Sequence, residues 1–250
     1  MQKTKALLLL VLVMFLTSVA FSQTTEKRLW MATEIIIKSD QIQNYEASLK
    51  EVVKLFKEHE FPYSFSVFRS GGFSYYMFFK LKSLEEWDQI LSKAYSTWDK
   101  IDPALFEKYR NCIQSYKRFT ISDIPELNYS PTSQRISQDE MNYAIWDVMY
   151  VEMGKEVAFM KEAKKFMELA NQNEFGDPVL MLQGGIGADN PVYFGVLYGK
   201  DDIDMRQENR KLWKSFGEEG SKMYQNILST LRDREMIEFW FRRDLSFSNE

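Results

Sequence analysis

The sequence predicts an α+β fold made of two copies of one βαββαβ unit. Three observations carry this. Strand-like and helix-like patterns recur in one order in both halves of the 250 residues. Matching residues recur with them: Trp98 stands eleven residues before Tyr109, and Trp213 eleven before Tyr224. The chain is also 45% hydrophobic and 15% aromatic, enough for apolar residues on both faces of a sheet.

Residues 1–22 read as a leader. Lys3 and Lys5 precede an apolar run from Ala6 to Ala20, and Ala20-Phe21-Ser22 puts small residues at the cleavage positions before Gln23. An uncleaved anchor is the rival reading, although the run is short for a bilayer span. Export to the periplasm or the cell exterior is expected, without stable membrane insertion after cleavage. No cysteine near the site suggests lipid attachment. The 32 basic and 36 acidic residues leave a mildly acidic chain, with no basic stripe interleaved with rings, so nucleic acid is not an expected partner. Cys112 is the single cysteine, so no intrachain disulfide forms and a buried inert thiol is expected.

The first unit is expected over 23–124. Trp30–Ile37 is a β-branched strand, and Ser39 is placed to cap a helix carrying Ile42, Tyr45, Leu49, Val52 and Phe56 at helical spacing. Pro62 ends that stretch. Tyr63–Phe68 and Phe73–Leu81 form a hairpin across Gly71-Gly72. Helices follow from Ser83 and Pro103, and Tyr116–Ile124 is the last strand. Residues 125–140 hold Pro125 and Pro131 with no periodicity and read as a linker.

The second unit is expected over 141–250. Tyr143–Glu152 is a strand, Val157 to Ala170 a helix, and Val179–Gln183 and Val192–Tyr198 a hairpin with a longer loop. Asp201 caps a helix that Gly217 and Gly220 interrupt, and Arg234–Arg243 is the final strand. Tyr75 matches Tyr193, Pro62 matches Pro178, and Asn111 and Asn226 follow the matched tyrosines. Shared order and nearly constant offset argue for duplication.

The βαββαβ order is the ferredoxin-like layout. Two such units with apolar free faces can bury them by packing their antiparallel sheets face to face within one chain. The arrangement resembles the dimeric α+β barrel superfamily in fused form, as in antibiotic-biosynthesis monooxygenase-like or NIPSNAP-like proteins. The resemblance spans Trp30 to about Leu245 and rests on layout, without a family motif. It implies an intrachain α+β barrel, and it implies no particular activity.

Each first strand carries one acid among apolar neighbours, Glu34 and Asp147. Counted from the strand starts they hold the same position, and alternation places both in the barrel interior. A buried carboxylate needs a cation or donor nearby. Arg118, Arg242, Tyr76 and Ser66 are the expected neighbours, either lining a polar ligand cavity or forming a structural ion pair. Trp240, between Phe239 and Phe241, is expected to face the interior, whereas Trp87, Trp98 and Trp213 are expected in the core. His59 is the single histidine, near a helix end, where a solvated cation suits the dipole. No metal site and no cofactor are expected. The Gly-rich segment Gly184–Asn190 leads into a strand and not a helix, so it reads as an extended hairpin loop, with a lid over a cavity as its functional reading.

No catalytic motif emerges. The leading expectation is an exported non-enzymatic protein that binds a small apolar or aromatic ligand or has a structural role. The alternatives are a cofactor-independent monooxygenase-like enzyme, with an activated substrate in the cavity between the sheets, and a protein-interaction module. An oligomer is compatible with the fold but not required to cover the sheets.

Overall fold

The computed structural model describes residues 27–100, 103–173 and 175–249. The leader and its cleavage site lie outside the described residues. The first half contains β1 (Leu29–Ile37), α1 (Ile42–Glu58), β2 (Ser66–Ser70), β3 (Ser74–Leu81), α2 (Glu85–Trp98), α3 (Pro103–Asn111) and β4 (Ile113–Asp123). The second contains β5 (Tyr143–Val151), α4 (Glu156–Gln172), β6 (Val179–Gly184), β7 (Val192–Gly199), α5 (Asp202–Leu228) and β8 (Leu231–Phe241). This is the expected α+β fold of two ferredoxin-like units.

The strands form one closed barrel in the order β1-β3-β2-β8-β5-β7-β6-β4. Each half contributes four adjacent strands, β4-β1-β3-β2 and β8-β5-β7-β6. Two short seams join them. Phe68, Arg69 and Ser70 pair with Phe241, Trp240 and Phe239, and Ile121, Ser122 and Asp123 pair with Gly184, Gln183 and Leu182. The halves therefore meet along their edges as well as face to face, and no open sheet edge remains at the seams.

Alternation sorts the side chains into two layers. One face of β1 sends Met31, Ile35 and Ile37 outward against Tyr45, Leu49, Val52 and Phe56 of α1. Those four recur at helical spacing, so α1 buries one stripe. The expected Ser39 cap is absent: Gln41 holds the N-cap position without a side-chain cap bond. Asp201 caps α5 as expected, accepting from the Asp204 amide at 2.8 Å. Gly217 breaks α5 with φ of 58°, a left-handed value glycine tolerates.

The other strand faces fill the barrel. Ala32, Tyr76, Phe119, Trp146, Phe194 and Phe239 form one inner cluster. The Trp146 ring lies 5.2 Å from both Phe194 and Phe239, and Tyr76 meets Phe239 edge-on at 4.8 Å. Trp240 is not among these rings, contrary to expectation. It is 40% exposed on the outer face, 5.5 Å from the Tyr143 ring, because Phe239 on the neighbouring position takes the inward direction.

Each half ends in a segment that docks on the other. After β4, a 3-10 turn at Pro125–Leu127 leads to Tyr129, which bridges to Val179. After β8, a 3-10 turn at Arg243–Leu245 leads to Phe247, which bridges to Phe65. Leu127 and Leu245 are both buried. Further along the first connection, Arg135 contacts Asp177 and Asp204, both in the second half.

Candidate functional site

Strand register fixes which residues correspond. Ile35 faces Tyr75 and Met149 faces Tyr193, so Thr33 in β1 corresponds to Asp147 in β5. Asp147 is thus one position out of step with Glu34. Glu34 points inward as expected, but Asp147 shares its face with Ile145 and Met149 and points outward, toward the helices. A one-residue offset reverses a strand side chain's face.

Glu34 sits at one mouth of the barrel, where the Tyr76 hydroxyl donates to it at 2.7 Å. Burial, and then this bond to a carboxylate, holds the Tyr76 phenol far above its usual range. The recess there is about 120 Å³ and is also lined by Lys117, Asp189 and Glu235. Ser66, opposite Phe78 in β2, does not line it. Arg118 and Arg242 do not reach Glu34 or Asp147. Arg242 instead contacts Glu46 of α1 and Asp244, because it lies on the outer face where α1 packs. Among the described residues, the rings of Phe119, Trp146, Phe194 and Phe239 fill much of the remaining interior.

The Gly-rich segment is fixed to β4. The Gly185 and Ile186 amides donate to the backbone oxygen and side chain of Thr120 at 2.8 Å. At Gly187, with φ of 80°, a Cβ would stand 2.3 Å from the Arg118 carbonyl oxygen. Ala188 and Asp189 border the Glu34 recess, so this loop walls the mouth and completes a seam.

Two further cavities lie between the barrel wall and the helices, at corresponding places in the two halves. The C-terminal one, about 120 Å³, has Asp147, Met149, Met181 and Arg234 in its floor and Phe166, Trp213 and Tyr224 in its roof. Arg234 donates to Asp147 through Nε at 2.7 Å and Nη2 at 3.0 Å, and the Tyr224 hydroxyl donates to the same carboxylate at 3.1 Å. The guanidinium also lies over the Tyr224 ring at 5.2 Å. The side chains of Arg234 and Asp147 are 31% and 20% exposed, so water partly screens the pair. Burial, followed by the neighbouring carboxylate, pushes the Tyr224 phenol well above its ordinary value. The bond to Asp147 raises Arg234 further, so the cation is permanent.

The N-terminal cavity, about 250 Å³, lies over Thr33, Ile35, Met77 and Arg118 and under Trp87, Trp98 and Tyr109. Trp98 and Tyr109 here match Trp213 and Tyr224, their rings 6.1 Å and 5.0 Å apart respectively. Trp87 and Trp98 pack against the outer core as expected and also wall this cavity, and Trp213 walls the other. Sequence reasoning missed Arg234 as a site residue, and flagged Tyr224 only as a repeat marker.

Among the described residues no group of three or more His, Cys, Asp or Glu is placed to hold a metal ion. A haem would need an axial ligand. His59 is exposed at the end of α1 and lines neither cavity, and the buried Cys112 thiol donates to the Lys108 carbonyl. Neither His59 nor Cys112 is placed to serve as a haem ligand in either cavity. Among the described residues no helix is long and apolar enough to cross a membrane.

No protein-family model matches the chain. No curated protein matches its sequence. Solved structures do share its fold. A protein from Lactobacillus acidophilus named "putative monooxygenase" matches with a TM-score of 0.55 at 10% identity, over 90% of this chain and 97% of that one. An anthrone oxidase-like protein gives 0.56 at 11% identity, over 86% and 92%. A variant of chlorite dismutase from Candidatus Nitrospira defluvii gives 0.51 at 10% identity, over 88% and 92%. The eight-stranded barrel and these neighbours agree in fold with the expected intrachain α+β barrel. The leading expectation of a non-enzymatic binding or structural protein is corrected here: these neighbours carry enzyme names, and they favour the monooxygenase-like alternative.

Proposed function

We propose that the chain is an oxygenase of the cofactor-independent type, acting on an activated aromatic substrate in the C-terminal cavity. The observation that carries this is Asp147, a carboxylate beside Arg234 and Tyr224 in a cavity whose other walls are apolar and aromatic apart from Asn209. The names of the structural neighbours support the reaction class.

The geometry restricts the substrate. A carboxylate is a weak base, so the C–H it deprotonates must already be acidic, as in a ring methylene conjugated to a ketone. Asp147 takes that proton. Arg234 faces the enolate oxygen that results, and the apolar walls exclude water from the anion. Dioxygen adds at the carbanion carbon, and the peroxide takes the proton back from Asp147. Loss of water leaves a carbonyl, with one oxygen atom in the product and one in water. The substrate supplies every electron, so no external reductant enters.

Indane-1,3-dione, a two-ring ketone with an acidic ring methylene, is the probe. The full chain should consume dioxygen with indane-1,3-dione in the presence of a chelator and without added flavin or haem, with one labelled atom from isotopic dioxygen in the trione. Asp147→Asn should lower the rate about 100-fold. Oxygen uptake no faster than in buffer overturns the reading. Export of the chain belongs to the same proposal, and an intact mass beginning at or near Gln23 is its expected outcome.

A further inference from the structure

The N-terminal cavity differs in charge from its counterpart. Two arginines line it, Arg118 and Arg110, and no Asp or Glu does. Elsewhere in the fold Arg28, Arg135, Arg232, Arg234 and Arg242 each contact a carboxylate at 3.2 Å or closer. Among the described residues, Arg118 and Arg110 have no carboxylate within ion-pair distance. Arg118 is instead held by rings, its guanidinium carbon 4.8 Å from the Tyr116 centroid and 5.6 Å from that of Trp87. Ring contacts fix the plane of a guanidinium and leave its N–H donors unspent. Behind this cationic rim the walls are Trp87, Trp98, Phe106 and Tyr109.

We infer that this cavity is a second binding site, for a small planar aromatic carboxylate whose ring enters between the helix and sheet rings and whose anion meets Arg118 at the rim. Fork geometry suits a carboxylate. A volume of about 250 Å³ admits one or two fused rings and no larger system. The site is independent of the oxygenase reading: it is in the other half, and its occupancy needs no dioxygen.

The test is binding by calorimetry of naphthalene-2-carboxylate, of naphthalene-2-carboxamide, which has the same shape without the charge, and of octanoate, which has the charge without the ring. The carboxylate should bind the unmodified chain about tenfold more tightly than the amide, and more tightly than octanoate. Arg118→Met, which installs the residue present at the corresponding place in β8, should reduce the carboxylate to the level of the amide. Arg118→Lys should fall between. Asp147→Asn, in the other cavity, should leave the preference intact. Equal affinity for carboxylate and amide overturns the inference, as does a preference that survives Arg118→Met. Octanoate binding as tightly as the naphthoate overturns the aromatic class. Comparison of the three ligands on the unmodified chain decides even if Arg118→Met fails to fold. Carboxylate selectivity without oxygen consumption would sink the oxygenase reading alone, and the converse would sink this one alone.

Discussion

The two helix–sheet cavities share walls but not floors. In both, a tryptophan and a tyrosine eleven residues apart form part of the roof. Beneath them, the N-terminal floor has Thr33 opposite Arg118, where the C-terminal floor has Asp147 opposite Met236. The C-terminal arginine, Arg234, stands instead where the first half has Tyr116, opposite Met149 as Tyr116 is opposite Ile35. Ring packing specifies the scaffold and tolerates little change in shape. The polar positions are free of that constraint, so one floor is neutralised internally and the other keeps a net cation. Fold and site thus rest on different residues of the same strands.

The most severe test of this contrast is truncation at the corresponding positions. Asp147→Ala strands Arg234 in a partly buried place and should cost roughly 3 kcal/mol in denaturant unfolding, toward the lower end for breaking such pairs because water reaches both groups. Thr33→Ala should cost about 1 kcal/mol or less. Similar losses at the two sites would mean that the floors do not differ as described. The hairpins offer a second contrast. Gly187→Ala places a methyl group against the Arg118 carbonyl at a positive φ and should cost about 2 kcal/mol. Gly71→Ala, in the tight turn of the first half, meets no atom within 4 Å and should be nearly neutral.

A smaller effect would sharpen the electrostatic argument. Thr33→Asp sets a carboxylate opposite Arg118 and should weaken naphthalene-2-carboxylate binding about tenfold by occupying the guanidinium from within. Undiminished binding would show that Arg118 is not the anchor.

The smallest effect concerns pH. Arg242, then Tyr75, hold the Glu46 carboxyl below its usual range against the opposing effect of burial. A depressed carboxyl stabilises the fold above its unfolded pKa of about 4.3, and that stabilisation is lost as pH falls through the lower folded value. The melting temperature of Glu46→Gln should lie below that of the unmodified chain at pH 6, and the gap should narrow as pH falls below about 4. A gap unchanged with pH would remove charge as the cause.

Much of the scaffold was legible in the sequence because it is written in local periodicity and then repeated. The two-residue alternation of β1, the helical stripe of α1 and the glycine that breaks α5 each needed only neighbouring residues. The orientation of Asp147 was not legible from strand starts, which drift by a residue while side-chain direction alternates at every residue. The match of Tyr75 with Tyr193 held the needed signal, since both pair across to the first strand of their unit and fix its register. The long-range partners of Arg242 and Asp147 had no local sign at all. Glu46 comes from a helix almost two hundred residues away in sequence, and Arg234 reaches Asp147 diagonally from a neighbouring strand. Trp240 misled because a ring flanked by rings is consistent with either face.

The connection from β4 through Tyr129 and Arg135 to β5 has a consequence for symmetry. Two identical units closing a barrel as separate chains would be related by a two-fold axis, and every substitution would appear in both floors at once. An arginine gained for one ligand would be imposed on the other cavity too. Joining the units covalently makes the axis approximate and gives each copy its own sequence to vary. The exchanged end segments, Tyr129 on Val179 and Phe247 on Phe65, keep the near-symmetric frame in place while the floors beneath Trp98 and Trp213 diverge. One chain can thereby present two different chemistries on a single repeated shape.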